Sequence, residues 1–258
     1  MKEYICHKQP IDSAKFSDKL KELGKKNGSS DGDLATVIKL ATDQAKLNTD
    51  SWNLIKALLE AWPKDDIFPL FDALRFATSK GANPSYELVV DLIQITFPFV
   101  DNTYSQTVIQ LAMKVVANLF VFQTTKKPLL ACREGVLAKL GVLVQDTGTT
   151  MSKAVEQGVV NITLNFSTLL RDASEDKDKE MGNVQVVSNL VCFYFDKLKN
   201  MEALYRCVVT LCNTISLDNA AKDLAKALDA EEILKGLKKK ELEKLDEAVA
   251  ECLKLLEA

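Results

Sequence analysis

From Asp33 onward the apolar residues of this chain recur three and four apart almost without interruption. Leu204, Cys207, Val208, Leu211 and Ile215 are one example. That spacing places side chains on one face of a helix, because residues three and four apart are neighbours on a 3.6-residue turn. No segment alternates apolar and polar residues long enough for a strand. Breakers are also scarce, with 10 Gly and 6 Pro in 258 residues. A chain so patterned folds as packed helices. The spacing predicts helices over 33–46, 50–61, 66–80, 86–97, 103–123, 128–145, 149–170, 182–197, 200–216, 218–228 and 240–257.

Ahead of these helices, residues 1–12 read as extended up to Gln9-Pro10. A short amphipathic helix follows over Asp12 to Leu23, then a polar loop over 24–32 (GKKNGSSDG). Asp66 is placed to cap the third long helix, with Pro69 in its first turn, where a missing N–H has no intrahelical partner anyway. Asn83-Pro84-Ser85 breaks the chain before the next helix. Residues 172–183 (DASEDKDKEMGN) form a strongly charged loop.

Asn118, Asn165 and Asn213 sit in similar apolar settings, 47 and 48 residues apart. Stepping back 43 residues from Asn118 reaches Arg75 on another amphipathic helix. Periods of about 40–47 residues are those of armadillo and HEAT repeats, which stack into a solenoid with a concave face. The expected fold is therefore an all-α, armadillo/HEAT-like right-handed superhelix with a concave groove. The whole chain, 1–258, is expected to be one domain, with 1–12 an extended N-terminal segment and 33–257 the helical repeats.

If the Asn helices are equivalent, their polar stripes line one groove. Glu202, Arg206, Val209 and Asn213 share a stripe; Lys114 with Asn118 and Asn161 with Asn165 are i,i+4 pairs. Asn amides can donate to and accept from an extended peptide backbone, and Arg presents a planar donor fork to a carboxylate. Arg75, Lys114, Arg206, Asn118, Asn165 and Asn213 are thus candidate peptide-binding residues with a preference for acidic ligands. A local alternative stands beside this one. Asp72 lies at i−3 from Arg75 and Glu202 at i−4 from Arg206, so each arginine could be spent in a helix-surface ion pair.

The stretch Trp62-Pro63-Lys64-Asp65-Asp66-Ile67-Phe68-Pro69-Leu70-Phe71-Asp72-Ala73-Leu74-Arg75 resembles the "WP-x-D…FP-x-LD-x-LR" signature of the PUL domain family. Leu111 to Phe120, Leu164 to Ser167 and Ala203 to Leu211 resemble its later helices in order, and Leu224 to Leu228 resembles its "LAKSLG". The resemblance implies an armadillo-like fold of about six repeats. It also implies a partner: the acidic, tyrosine-containing C-terminal tail of the valosin-containing-protein AAA ATPase, a ubiquitin-dependent segregase. Arg75 and Arg206 match the family's groove arginines. Lys114 stands where the family often has Arg, and Cys212 where relatives have Gly. A scaffold of armadillo type that binds a different protein is the alternative.

Other classes fit poorly. There is no G-x-S-x-G, P-loop, H-E-x-x-H, G-x-G-x-x-G or Cys–His arrangement, so no catalysis, cofactor or metal is expected. The single histidine, His7, excludes sites needing two His ligands. A net charge of −3 argues against a nucleic-acid coat. Apolar runs of about eight residues fall short of the roughly 20 of a membrane span. The basic run 235–240 (KGLKKK) lacks the aromatic anchors of a membrane-surface helix. Six cysteines without C-x-x-C spacing read as reduced thiols, which suggests cytoplasm and nucleus. Met1 directly before an extended segment suggests an excised C-terminal domain, monomeric in isolation.

Overall fold

A computed structural model describes residues 4–42, 45–80, 85–146, 150–172, 179–237 and 243–257. Among the described residues there is no strand. The helices are α1 (Ser13–Lys26), α2 (Asp31–Ala41), α3 (Thr49–Ala61), α4 (Phe68–Ser79), α5 (Tyr86–Thr96), α6 (Gln106–Leu119), α7 (Lys126–Gln145), α8 (Lys153–Asp172), α9 (Lys179–Asn189), α10 (Phe195–Lys197), α11 (Met201–Ile215), α12 (Asn219–Ala227), α13 (Ala230–Leu237) and α14 (Glu243–Glu257). A π-helical turn, Leu190–Tyr194, joins α9 to α10. No single helix among the described residues is long and apolar enough to cross a membrane.

Short polar residues set most of the helix starts. Asp12, Ser30, Asn48, Ser85, Ser105, Asn200 and Asp218 each accept a hydrogen bond from a first-turn N–H of the helix that follows. Each such cap satisfies a donor that the helix itself cannot, and is worth about 1 kcal/mol. Asp66 is not among them. Helix α4 starts at Phe68 with Pro69 in its first turn and no side-chain cap. The Asp66 carboxylate instead takes bonds from Lys26 Nζ at 2.8 Å and Asn27 Nδ2 at 3.0 Å, tying the end of α1 to the start of α4.

Other boundaries moved for local reasons. The polar stretch 24–32 is mostly helix: α1 runs to Lys26, and α2 begins at Asp31 on its Ser30 cap. Asn83 and Pro84 lie outside the described residues, as do 173–178 of the charged loop; helix resumes at Lys179. Helix α13 was not expected. It starts after Asp229, which turns the chain at φ 57°, and buries Ala230, Leu234 and Leu237.

The chain forms two compact units, one of Ile5–Leu129 and one of Tyr4 with the chain from Leu130 onward. In the first unit α4 packs on α6 and on α2. Its core includes Trp52, Ile67, Leu70, Phe71, Leu74 and Phe120, each almost fully buried. In the second, α11 packs on α8 and α14, and α12 packs on α9. Helix α8 is buried along most of its length, with Val159, Ile162, Leu164 and Phe166 fully enclosed.

Candidate peptide-binding site

In the first unit the site is built from α4, α6 and the extended residues before α1. Every α4 residue from Ala73 to Ser79 is buried, so this helix has no solvated stripe. Arg75 is only 4% exposed. Its Nε donates to Asp72 Oδ1 at 2.7 Å, and its Nη1 donates to the carbonyls of Gln9 at 2.8 Å and His7 at 3.3 Å. The guanidinium therefore satisfies one carboxylate and two main-chain oxygens at once, a use of its planar fork that a lysine cannot copy.

Asn118, fully buried on α6, completes the arrangement. Its Oδ1 accepts from the His7 N–H at 2.6 Å and from the Cys6 thiol at 3.3 Å. Its Nδ2 donates to the Arg75 carbonyl at 2.8 Å and to the His7 carbonyl at 3.4 Å. Burial raises the Cys6 thiol above its usual range, which keeps it a donor. Asn118 thus holds both main-chain groups of one residue in the segment before α1. That is the bond pattern expected for a peptide ligand, made here to the chain's own residue 7.

Lys114 lies one turn before Asn118. It is half-buried and makes no ion pair among the described residues. Burial lowers its ammonium below the usual range, the nearby Arg75 charge lowers it further, and Asp72 opposes both. Asp72 is paired with Arg75, and Lys114 is left as a half-buried cation beside them. One turn back along α4 and α6, a cavity of about 410 Å³ opens between Pro10, Ile11, Phe16, Phe68 and Leu111, with Asp72 on its wall.

In the second unit Arg206 on α11 keeps 22% of its side chain exposed. Its Nε meets Glu202 at 3.1 Å and its Nη1 donates to Asn161 Oδ1 on α8. Lys244 of α14 closes on the other oxygen of Glu202 and lies over the Tyr205 ring at 4.7 Å. Burial would raise the Glu202 carboxyl, but the bonds from Lys244 and Arg206 outweigh it and hold the group below its usual range. Asn165 is fully buried on α8. Asn213 is half-buried, and its Nδ2 has no hydrogen-bond partner among the described residues.

The six candidates therefore divide between the units: Arg75, Lys114 and Asn118 in the first, Asn165, Arg206 and Asn213 in the second. Both local ion pairs weighed from the sequence are present, Arg75 with Asp72 and Arg206 with Glu202. Lys244 and the extended residues 6–9 were missed. Residues 6–9 carry no pattern of their own, because His7 and Gln9 are held through main-chain atoms and only Cys6 through its side chain.

The sequence matches the PUL domain family over residues 1–254. A phospholipase A-2-activating protein of Xenopus laevis is 26% identical over 182 residues, which is 67% of this chain and 21% of that protein. The match thus spans about a fifth of its relative's length. Among solved structures, the PFU–PUL domain pair of Saccharomyces cerevisiae Doa1/Ufd3 superposes with a TM-score of 0.67 at 16% identity, covering 98% of this chain and 78% of that one. A designed armadillo repeat protein in complex with the peptide (KR)4 gives a TM-score of 0.60 at 16% identity, covering 95% of this chain and 100% of that one. The fold is all-α and armadillo-like.

Proposed function

The chain belongs to the PUL domain family, and on that premise we propose that it is a non-catalytic adaptor for the acidic C-terminal tail of the valosin-containing-protein AAA ATPase, acting in cytoplasm and nucleus. PUL domains are protein-interaction domains. The observation that carries the acidic-tail reading is a half-buried lysine without an ion pair among the described residues: Lys114 lies near Arg75, whose Nε already holds Asp72. A ligand carboxylate beside Lys114 would supply one, and low local polarity strengthens the pairing. The adjoining cavity, with Ile11, Phe16, Phe68 and Leu111 among its walls, gives the tail's aromatic residue somewhere to go. On α11, Arg206 is proposed as a contact in its own right because it is partly exposed, with Asn213, whose Nδ2 is buried, supporting that face. Asn118 and Asn165 act from behind, the first by fixing residues 6–7 and the second through the packing of α8.

Titration of the ATPase's tail peptide into the protein tests this directly. Binding should weaken about ten- to a hundredfold in Lys114→Ala, at 1.4 kcal/mol per factor of ten and roughly 1.5–3 kcal/mol for a charge-assisted bond. It should also fall as salt rises. Lys114→Ala should fold as well as the wild type, because it removes a cation that repels Arg75. Unaltered affinity in the variant, or no binding by the wild type, would sink the reading. The designed relative is seen with a basic peptide, so a (KR)4 peptide is the control for charge sign. A scaffold for a different, basic partner would bind that peptide and not the tail.

A further inference from the structure

Helices α11 and α14 pack against each other. Glu202 meets Lys244 in their first turns, and Cys212 Sγ, in the last turn of α11, lies 3.7 Å from the carbonyl oxygen of Ala248, one turn further along α14. A helical side chain leans back over the preceding turn, so Cys252 covers the turn that begins at Ala248. The two sulfurs are therefore neighbours across the joint, close enough for the Cys212 side chain to strengthen the hold of Cys252 on its proton. Both thiols are free; Cys212 is partly exposed and Cys252 is buried. Of the other four, Cys6 bonds Asn118, Cys192 stands exposed on the π-helical turn, Cys207 is buried on α11 and Cys132 is partly exposed on α7.

We propose that Cys212 and Cys252 form an oxidant-responsive dithiol, which hydrogen peroxide converts to a disulfide that staples α14 to α11. Cys252 is buried and Cys212 is partly exposed, so Cys212 is the sulfur that meets the oxidant. Its thiolate attacks one peroxide oxygen; an S–O bond forms, the O–O bond breaks and hydroxide leaves. Cys252 then attacks the oxidised sulfur. The S–S bond forms, the S–O bond breaks, and the Cys252 proton leaves with the hydroxyl as water. The cysteines lose two electrons and peroxide becomes two waters. Ala248 at the contact keeps the helices close, as a disulfide's short Cα separation requires. The bond would close a segment of 40 residues, which restricts the unfolded chain and raises stability. Asn213 adjoins Cys212 in sequence, so the staple would also stiffen the α11 face assigned above to peptide contact. The dithiol does not depend on that assignment.

The test uses the full chain, dilute, with limiting hydrogen peroxide. Free thiols are blocked, and peptides are mapped without reductant. A cross-linked pair carrying Cys212 and Cys252 is expected, with two of the six thiols lost and both restored by dithiothreitol. The melting temperature should rise by about 5–10 °C on oxidation. Cys212→Ser, at the more exposed position, should lose both the cross-link and the rise. Peroxide that leaves Cys212 and Cys252 as separate thiols, or carries Cys212 to sulfinic acid without a cross-link, would overturn the proposal. If Cys212→Ser folds poorly, Cys252→Ala must likewise abolish the cross-link. Since the readout is covalent, it stands or falls apart from tail binding.

Discussion

Two arginines that look alike in the sequence have unlike surroundings. Arg75 is buried and holds Asp72 and two main-chain carbonyls. Arg206 is partly exposed and holds Glu202 and Asn161. Removing Arg75 leaves Asp72 and the Gln9 carbonyl without this donor and the His7 carbonyl with Asn118 alone, in a place water reaches poorly, so Arg75→Ala should destabilise the first unit by about 2–4 kcal/mol. Arg206→Ala should cost about 1 kcal/mol, since solvent can replace much of what is lost. Urea unfolding followed through residues of each unit would separate the two; equal losses would contradict the burial difference. The sequence made both i−3 and i−4 ion pairs legible, because they lie within one helical turn. The depth of Arg75 was not legible, since α4 takes up even its polar positions, and that depends on where α2 and α6 lie. Asn118 was found by its spacing, yet its main-chain ligand, 111 residues away, leaves no local trace.

Helix joints show the same division between local and distant causes. Gly24 sits inside α1, where Ala would ordinarily be the better helix former. Here a Cβ would stand 2.5 Å from both Cδ atoms of Leu34, which is itself buried in α2. Gly24→Ala should therefore destabilise, by about 1–3 kcal/mol, as overpacking outweighs propensity. A thermal melt more stable than wild type would refute it. The α11–α14 joint has a pH signature. The Glu202 carboxyl is held below its ordinary 4.5, so its contribution is complete above that value and is lost as pH falls through the lower folded value. Wild type should lose more stability than Glu202→Gln between about pH 5 and pH 3, as read by denaturant midpoints across that window. Boundary residues were the least legible part of the fold. Asp66 had the chemistry of a cap but found Lys26 and Asn27, which no local rule could foresee. Helix α13 did have a signal, apolar residues at 230, 234 and 237 with Glu231 and Glu232 opposite Lys235, in a stretch too short to stand out.

For the whole molecule, the helical period carried the fold class without help from any single residue, because it is repeated in nearly every element. With all six thiols free, the melting temperature of the protein as prepared should not change on adding dithiothreitol; a fall of several degrees would mean a disulfide already in place. One further consequence concerns the order of synthesis. The residues that Asn118 clamps are 6 and 7, so α6 must be made before they find their place. At about 5–20 residues per second, a ribosome takes roughly 6–22 s to cross that interval. Until then the His7 N–H and the Cys6 thiol lack the Asn118 oxygen that receives them. The first part of the unit to be translated is among the last to be fixed.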